Sequence, residues 1–194
     1  MQWTEETFLS QKRWFHGTKK EYAVDIIVNG PNVNKNRHNP SDFGKGLYLC
    51  PNKEWSLSYI KKRFAITDED GIIEDNDGIV IEFYFEPLRF LNYRHKCFDA
   101  MSEDFAKTVY NNWRHPIIPH FSNFNSFIFG PMSDGKQLYL MTALKNHEMS
   151  RTEVMKELLL PKEDWQLVIK NQNICNQLKI VKTYNLKGDE VHVI

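Results

Sequence analysis

The chain has 194 residues, 41% of them hydrophobic, with 25 basic and 25 acidic side chains, a balance that neither indicates nor excludes a nucleic-acid partner. This length and composition predict a single soluble globular domain over residues 1–194. Three widely spaced cysteines and scattered histidines support neither a disulfide framework nor a metal site, so we expect no bound metal. The acidic start and the absence of an apolar run of ~18 residues predict a cytoplasmic protein with no membrane contact.

Strand and helix signals follow one another irregularly in the first half of the chain. The predicted elements are a strand at 13–18, a helix at 19–30 that ends at Gly30, a polar loop at 31–45, a strand at 46–50 and a helix at 52–64 capped by Asn52. A loop of that length inside a compact domain is often functional.

The second half begins with the strongest strand signal, IVIEFYFEPLRFL, which Pro87 interrupts. Further predicted elements are a helix at 101–113 capped by Ser102, a strand at 124–131, helices at 136–147 and 150–161, the latter with Ser150 as its cap, and strands at 165–170, 178–186 and 190–194. No regular alternation of parallel strands and helices is present, which favours an α+β fold.

Three stretches carry residues that are able to do chemistry: FHGT at 15–18, DFGKGLYL at 42–49 and WQLVIK at 165–170. Each has a structural explanation when it is taken alone. A histidine at a strand end is commonly a hydrogen-bonded structural residue, a strand tyrosine commonly packs across strands, and a glutamine at a strand start is commonly just a polar position.

Taken together and in this order, these stretches resemble the ADP-ribosyltransferase superfamily, and more closely a bacterial toxin-like family known as a domain of unknown function. The likeness continues in VIEFYFEPLRFLNY, in FSNFNSFIFGPMSDG and in WQLVIKNQNICNQLKIV, and so spans most of the chain. The resemblance implies an α+β, ADP-ribosyltransferase-like fold in which NAD is held between a split pair of small β-sheets.

The resemblance also implies a role for each residue of the predicted site. His16 hydrogen-bonds the ribose on the adenosine side of NAD, the backbone of Gly17 holds the nicotinamide carboxamide, and Thr18 adds a hydroxyl donor nearby. Glycine suits such a position because a Cβ obstructs the close approach of a ligand to the backbone. The ring of Tyr48 covers the nicotinamide, and Gln166 stands where the family usually has a glutamate that orients the reactive ribose.

The glutamine is a departure from the usual His-Tyr-Glu pattern. The nicotinamide–ribose bond breaks through an oxocarbenium-like state, which a carboxylate stabilises more than a neutral amide does. Glu163 and Asp164 lie close in sequence and are alternatives for the third catalytic position. The loop at 31–45 carries Asn36, Arg37 and Lys45, and we expect Lys45 to meet the pyrophosphate of NAD; the alternative is a solvated polar loop.

The resemblance implies an NAD-dependent mono-ADP-ribosyltransferase, a toxin of a toxin–antitoxin or phage-defence system, for which an antitoxin protein is a candidate partner. KKRF at 61–64 and NNWRH at 111–115 favour RNA or DNA over protein as the acceptor, although a helix-dipole contact and a core tryptophan explain the same residues. The alternatives are an NAD glycohydrolase, a catalytically idle NAD-binding or interaction module, and a structural α+β module.

Overall fold

The computed structural model describes residues 3–35, 41–64, 66–67, 73–74, 77–115, 124–133, 137–160 and 163–194. Within these residues the strands are β1 (Arg13–Lys19), β2 (Leu47–Leu49), β3 (Ile66–Thr67), β4 (Ile73–Glu74), β5 (Gly78–Tyr84), β6 (His95–Cys97), β7 (Phe127–Pro131), β8 (Trp165–Ile169) and β9 (Lys179–Tyr184). The α-helices are α1 (Glu5–Ser10), α2 (Lys20–Asn29), α3 (Lys53–Phe64), α4 (Glu103–Arg114), α5 (Gln137–Lys145), α6 (Arg151–Leu158) and α7 (Gln172–Cys175), and a 3₁₀ turn spans Pro87–Phe90.

The fold is α+β, as the sequence predicts, and its strands form two main sheets. One sheet has the order β1-β5-β9 and is antiparallel throughout. The other has the order β2-β8-β7-β6, in which only the pair β6 and β7 is parallel. Strands β3 and β4 form a separate antiparallel pair.

Alternation along the strands divides the apolar side chains among three cores. Trp14 and Ile81 from the first sheet meet Leu49 and Phe129 from the second in the largest core, which lies between the two sheets. The opposite face of the second sheet packs against α4, α5 and α6, and the opposite face of the first sheet packs against α3 through Ile60. The sheets therefore lie face to face, with helices covering their outer sides.

Helix starts follow the predicted local signals. The Asn52 side chain accepts hydrogen bonds from the backbone at the start of α3, and Ser102 caps α4. Ser150 forms a complete capping box with Glu153. All three predicted caps are confirmed, because each depends only on residues within one helical turn.

The structure differs from the sequence predictions at both ends of the chain. Helix α1 was not predicted; its capping box pairs Thr4 with Thr7, and a threonine at the third helical position is a weaker signal than a glutamate. The strand predicted at 190–194 is wrong. Glu190 makes one isolated bridge to Tyr184, and the residues after it are not in a strand.

Gly17 lies where α3 approaches β1 most closely. A Cβ on Gly17 would lie 2.5 Å from Ile60 Cγ2 and 3.1 Å from the backbone oxygen of Ser56. Both distances are shorter than ordinary van der Waals contact, so the packing of α3 by itself requires a glycine in the middle of this strand.

This contact gives a stability prediction. We expect Gly17→Ala to lower the free energy of unfolding by about 1–3 kcal/mol, because the added methyl overpacks the α3–β1 contact. Urea denaturation measures the change. In the double variant Gly17→Ala/Ile60→Leu the β-branched methyl is gone, so the combined loss is expected to be smaller than the sum of the two single losses. Additive losses would show that this contact is not the cause.

Candidate functional site

The two main sheets meet along the outer edge of β1. Phe15 and Cys50 exchange two backbone hydrogen bonds, of 2.8 and 2.7 Å, and so connect β1 to the end of β2. On the antiparallel pattern, the next rung would join Gly17 to Tyr48. Instead the His16 side chain reaches across, and its Nδ1 lies 2.8 Å from the Tyr48 carbonyl oxygen. We call the space between Gly17 and Tyr48, where backbone pairing stops, the β1–β2 gap.

This contact sets the protonation of the His16 ring. A carbonyl oxygen only accepts hydrogen bonds, so Nδ1 carries the hydrogen and donates it to Tyr48. Burial lowers the pKa of His16 below its usual value, an effect that the hydrogen bond to Tyr48 partly opposes. At neutral pH the ring is therefore uncharged, and its Nε2 atom presents a lone pair that accepts a hydrogen bond from a hydroxyl group.

The backbone of Gly17 faces the β1–β2 gap. In an antiparallel strand, backbone groups point to alternate sides, so Gly17 points to the same side as Phe15 and away from β5. In the part of the chain that the structure describes, its N–H and C=O have no backbone partner. The backbone N–H and C=O of Gly17, the residue after His16, are thus available to a ligand. Thr18 is buried on the same strand face as His16, with 8% of its surface exposed.

Tyr48 is held by a tight turn over residues 41–46, which we call the 41–46 turn. Its phenol donates to the Gly44 carbonyl oxygen at 2.6 Å and accepts from the Phe43 N–H at 3.1 Å. Gly44 has a φ of 75°, which glycine adopts without strain. Burial raises the pKa of the Tyr48 hydroxyl, which keeps it protonated. The ring is therefore fixed in place and does not serve as a base.

Gln166 lies on the same face of its sheet as Tyr48, because Tyr48 pairs with Val168, and Gln166 is two residues before Val168 in β8. It is only 4% exposed. Its amide nitrogen donates to Asp42 Oδ2 at 2.8 Å and to the Pro131 carbonyl oxygen at 3.1 Å. Both amide hydrogens are thus bound by protein acceptors, and the amide oxygen Oε1 is the polar atom that remains.

The two alternatives to Gln166 precede β8. Glu163 is exposed, and Asp164 is partly buried with its backbone oxygen bonded to the Met132 N–H at 2.9 Å. Of the three, Gln166 alone is in a strand that pairs with β2.

Sequence patterns single out neither Tyr59 nor Asp42, although each contacts a residue of the candidate site. Tyr59 of α3 is 44% exposed, and its Cδ1 atom lies 3.4 Å from the position of a Cβ on Gly17. In the sequence its helical spacing with Ile60 indicates a core residue. Asp42 was seen only as part of the DFG stretch, yet its carboxylate bonds to Gln166. No local spacing signals a contact between residues 124 positions apart.

Two lysines, Lys45 and Lys170, lie near the start of β2. Lys45 is exposed in the 41–46 turn, and the partly buried Lys170, directly after β8, donates to the Phe43 carbonyl oxygen. Burial and the charge of Lys45 lower the pKa of Lys170 to about 8. Asn36 and Arg37, which the sequence also placed in this loop, lie outside the described residues.

The basic and aromatic stretches differ from a nucleic-acid surface in one respect. Trp113 of NNWRH is 4% exposed, and its Nε1 donates to Asp42, so the base-stacking interpretation of this residue is wrong and the core interpretation is confirmed. Lys61, Lys62 and Arg63 occupy the last turn of α3, where cations interact favourably with the helix dipole.

Neither a metal-binding cluster nor a membrane-spanning helix occurs among the described residues. Among those that the structure describes, no cluster of three or more His, Cys, Asp or Glu side chains is able to hold a metal ion. Within the same described ranges, no helix is both long and apolar enough to cross a membrane.

The buried neutral state of His16 predicts a pH dependence of stability. Because the folded pKa lies below the unfolded value of about 6.5, the unfolded chain binds more protons as the pH falls through 6.5. We expect the stability of the wild type, relative to His16→Gln, to fall below pH 6.5 by up to about 1.4 kcal/mol per pH unit. Urea denaturation from pH 8 to pH 5 measures this difference. A constant difference across that range would contradict a lowered pKa.

Comparison with known proteins assigns the chain to a family. A family model described as "Protein of unknown function (DUF3990)" matches residues 13–180, from the start of β1 into β9, and so includes every residue of the site described above. No curated protein and no solved structure matches the chain. The chain belongs to the DUF3990 family of proteins of unknown function.

Proposed function

We propose that this protein is an NAD-dependent mono-ADP-ribosyltransferase with its active site at the β1–β2 gap and an ADP-ribosyltransferase-like arrangement of its two sheets. The observation that carries the proposal is the His16–Tyr48 hydrogen bond. It leaves a neutral imidazole acceptor beside a backbone donor and acceptor at Gly17 that have no backbone partner among the described residues. A ribose hydroxyl and a primary carboxamide, both present in NAD, match these partners.

The nicotinamide end binds at Gly17. The carboxamide oxygen accepts from the Gly17 N–H, and the carboxamide NH₂ donates to the Gly17 carbonyl oxygen. Tyr59 offers an exposed aromatic ring beside Gly17, on which a flat ring such as nicotinamide stacks. The Tyr48 ring covers the nicotinamide from the neighbouring strand β2. His16 Nε2 accepts from the adenosine-side ribose, and Lys45 lies in the turn next to Tyr48, where its charge attracts the pyrophosphate.

The reaction transfers ADP-ribose from nicotinamide to an acceptor. The bond between the ribose C1′ and the nicotinamide N1 breaks, and its electron pair leaves with nicotinamide, whose ring nitrogen loses its positive charge. The acceptor's lone pair forms the new bond to C1′, and its proton passes to solvent. Gln166 Oε1 accepts from a hydroxyl of the reacting ribose and so orients it for this step.

The biological setting and the acceptor are part of the proposal. We propose a cytoplasmic toxin of a toxin–antitoxin or phage-defence system, with an antitoxin protein as its partner and a nucleic acid favoured over a protein as the acceptor. Burial of Trp113 removes one of the two features that favoured a nucleic acid. The lysines and arginine at the end of α3 remain the support for that choice.

A second candidate function is NAD binding without transfer. The observation that favours it is the Gln166 amide, which is neutral and has both hydrogens committed to Asp42 and Pro131. Such a protein binds NAD through His16 and Gly17 but releases no nicotinamide. A glycohydrolase is the third case, in which water takes the place of the acceptor and free ADP-ribose is the product.

One labelling experiment tests these functions. The protein is incubated with NAD labelled in the adenine moiety and with cell lysate, and the labelled product is then treated with nuclease or with protease. We expect nicotinamide release and a label that nuclease removes. A label removed only by protease identifies a protein acceptor, and free ADP-ribose alone identifies a glycohydrolase. Binding of NAD without nicotinamide release indicates the idle module, and no binding at all contradicts the proposal.

His16→Ala tests the residue that carries the proposal. We expect NAD binding, measured by isothermal titration calorimetry, to weaken about fivefold to thirtyfold, because a hydrogen bond in the gap is worth about 1–2 kcal/mol. His192→Ala, on the exposed C-terminal tail, is the matched control and should bind as the wild type does. Circular dichroism verifies that both variants are folded. Equal affinity of the two variants would remove His16 from the site.

Tyr59→Ala tests the aromatic wall that the structure adds to the site. We expect about tenfold weaker NAD binding, since an aromatic stacking pair contributes roughly 1 kcal/mol beyond the area it buries. Tyr59→Phe keeps the ring and should retain the affinity. Tyr22→Ala, which removes an exposed tyrosine of α2, is the control. If Tyr22→Ala and Tyr59→Ala have the same affinity, nicotinamide does not stack on Tyr59.

A further inference from the structure

The Asp42 carboxylate joins four segments that are distant in the sequence. It accepts from Trp113 Nε1 at 3.1 Å, from the Ser133 N–H at 2.8 Å, from Ser133 Oγ at 2.5 Å and from Gln166 Nε2 at 2.8 Å. We call these four residues the Asp42 cluster. Its members come from the 41–46 turn, from α4, from the segment after β7 and from β8.

In the described part of the chain, each partner of this carboxylate presents a hydrogen-bond donor. Such a set fits an ionised carboxylate, which only accepts. In the described part of the chain, no lysine, arginine or histidine forms an ion pair with Asp42. Among the described residues, neutral N–H and O–H dipoles are therefore the partners of its negative charge, in a partly buried position where charge interactions are stronger than in water.

Gln166 connects this charge to the candidate active site. Its amide nitrogen must face Asp42 and Pro131, because both partners are acceptors, and this orientation aims Oε1 away from them. An N–H bonded to a carboxylate polarises the whole amide group and makes its oxygen more negative. The residue that takes the place of the usual glutamate is therefore one hydrogen bond from a carboxylate.

We propose that Asp42 is a positioning residue that orients the Gln166 amide and supplies, through it, the negative charge that stabilises the oxocarbenium-like ribose. This inference rests on the function proposed above. It explains how a neutral residue serves at a position where positive charge develops in the transition state. No group is oxidised and no proton is transferred by the Asp42–Gln166 pair.

The same geometry explains why the residue at position 166 is a glutamine. A glutamate there would bring a second carboxyl group within about 3 Å of the Asp42 carboxylate. Because like charges repel at this distance, the two carboxyl groups would not both lose their protons at their usual pKa values. A glutamate would also present an acceptor to the Pro131 carbonyl oxygen. Asp42 and Gln166 thus act together, with one carboxylate charge between them.

Three variants test this pairing: Asp42→Asn, Gln166→Glu and Asp42→Asn/Gln166→Glu. Steady-state release of nicotinamide from NAD gives kcat and KM for each. We expect Asp42→Asn to lower kcat by about tenfold to a hundredfold with KM changed less than threefold, because the charge acts on the transition state. The double variant returns the charge to position 166 and should regain at least tenfold in kcat over Asp42→Asn. Asp104→Asn, an exposed aspartate of α4, is the control.

Gln166→Glu gives a readout that does not depend on NAD. Two adjacent carboxyl groups hold a proton more tightly in the folded state than in the unfolded state, so the denaturation midpoint of this variant, relative to the wild type, should fall as the pH rises from 4 to 8. The double variant has one carboxyl group, whose pKa is raised by burial but not by a second carboxylate, so its fall should be smaller. This comparison of Gln166→Glu with the wild type is informative even if the Asp42→Asn variant does not fold.

The outcomes separate this inference from the function on which it rests. If the wild type releases nicotinamide and folded Asp42→Asn keeps its kcat, the role of Asp42 is overturned and the transferase function stands. A lowered melting temperature with unchanged kcat has the same meaning, because it shows a structural role only. A pH-independent midpoint in Gln166→Glu also overturns the pairing. If the wild type neither binds nor cleaves NAD, the proposed function fails, and this inference fails with it.

Discussion

The hydrogen bond between His16 and the Tyr48 carbonyl stands at the point where backbone pairing between the two sheets ends. One rung earlier, Phe15 and Cys50 pair as neighbours in an antiparallel ladder do. The imidazole takes the acceptor that the next rung would use, so among the described residues the Gly17 backbone has no strand partner on this side. The His16 side chain thus ends the hydrogen-bonded ladder, and the Gly17 N–H and C=O remain available to a ligand. The same hydrogen bond fixes the tautomer of the His16 ring.

The second constraint is the Asp42 carboxylate, which holds the 41–46 turn against α4 and β8. That turn in turn binds the Tyr48 phenol through Phe43 and Gly44. Tyr48 is therefore fixed at both ends, by its carbonyl to His16 and by its hydroxyl to the turn. A ring held in this way loses little conformational entropy when a ligand stacks on it, which is the physical basis of preorganised binding.

Sequence patterns predicted those features that depend on neighbours along the chain. The caps at Asn52, Ser102 and Ser150 are confirmed because a cap and its helix are encoded within four residues. Gly17 is a residue whose packing role such patterns do not predict. Its position after a histidine indicates a ligand site, but Ile60 alone already excludes a side chain there, and that contact joins residues 43 positions apart. Trp113 is a similar case, since its buried partner lies on a different element.

Gln166, the proposed third catalytic residue, shows most clearly why residue identity alone is insufficient. A glutamine in place of a glutamate suggests a weaker site, because an amide has no charge. Its hydrogen bonds alter that conclusion, since both N–H groups end on acceptors and one of these acceptors is a carboxylate. A ligand experiences the electrostatic field of a side chain together with that of its hydrogen-bond partners. A hydrogen bond from an amide N–H to a carboxylate polarises the amide and makes its oxygen more negative. DFG and WQLVIK, which are separate stretches in the sequence, thus form a single electrostatic unit in the fold.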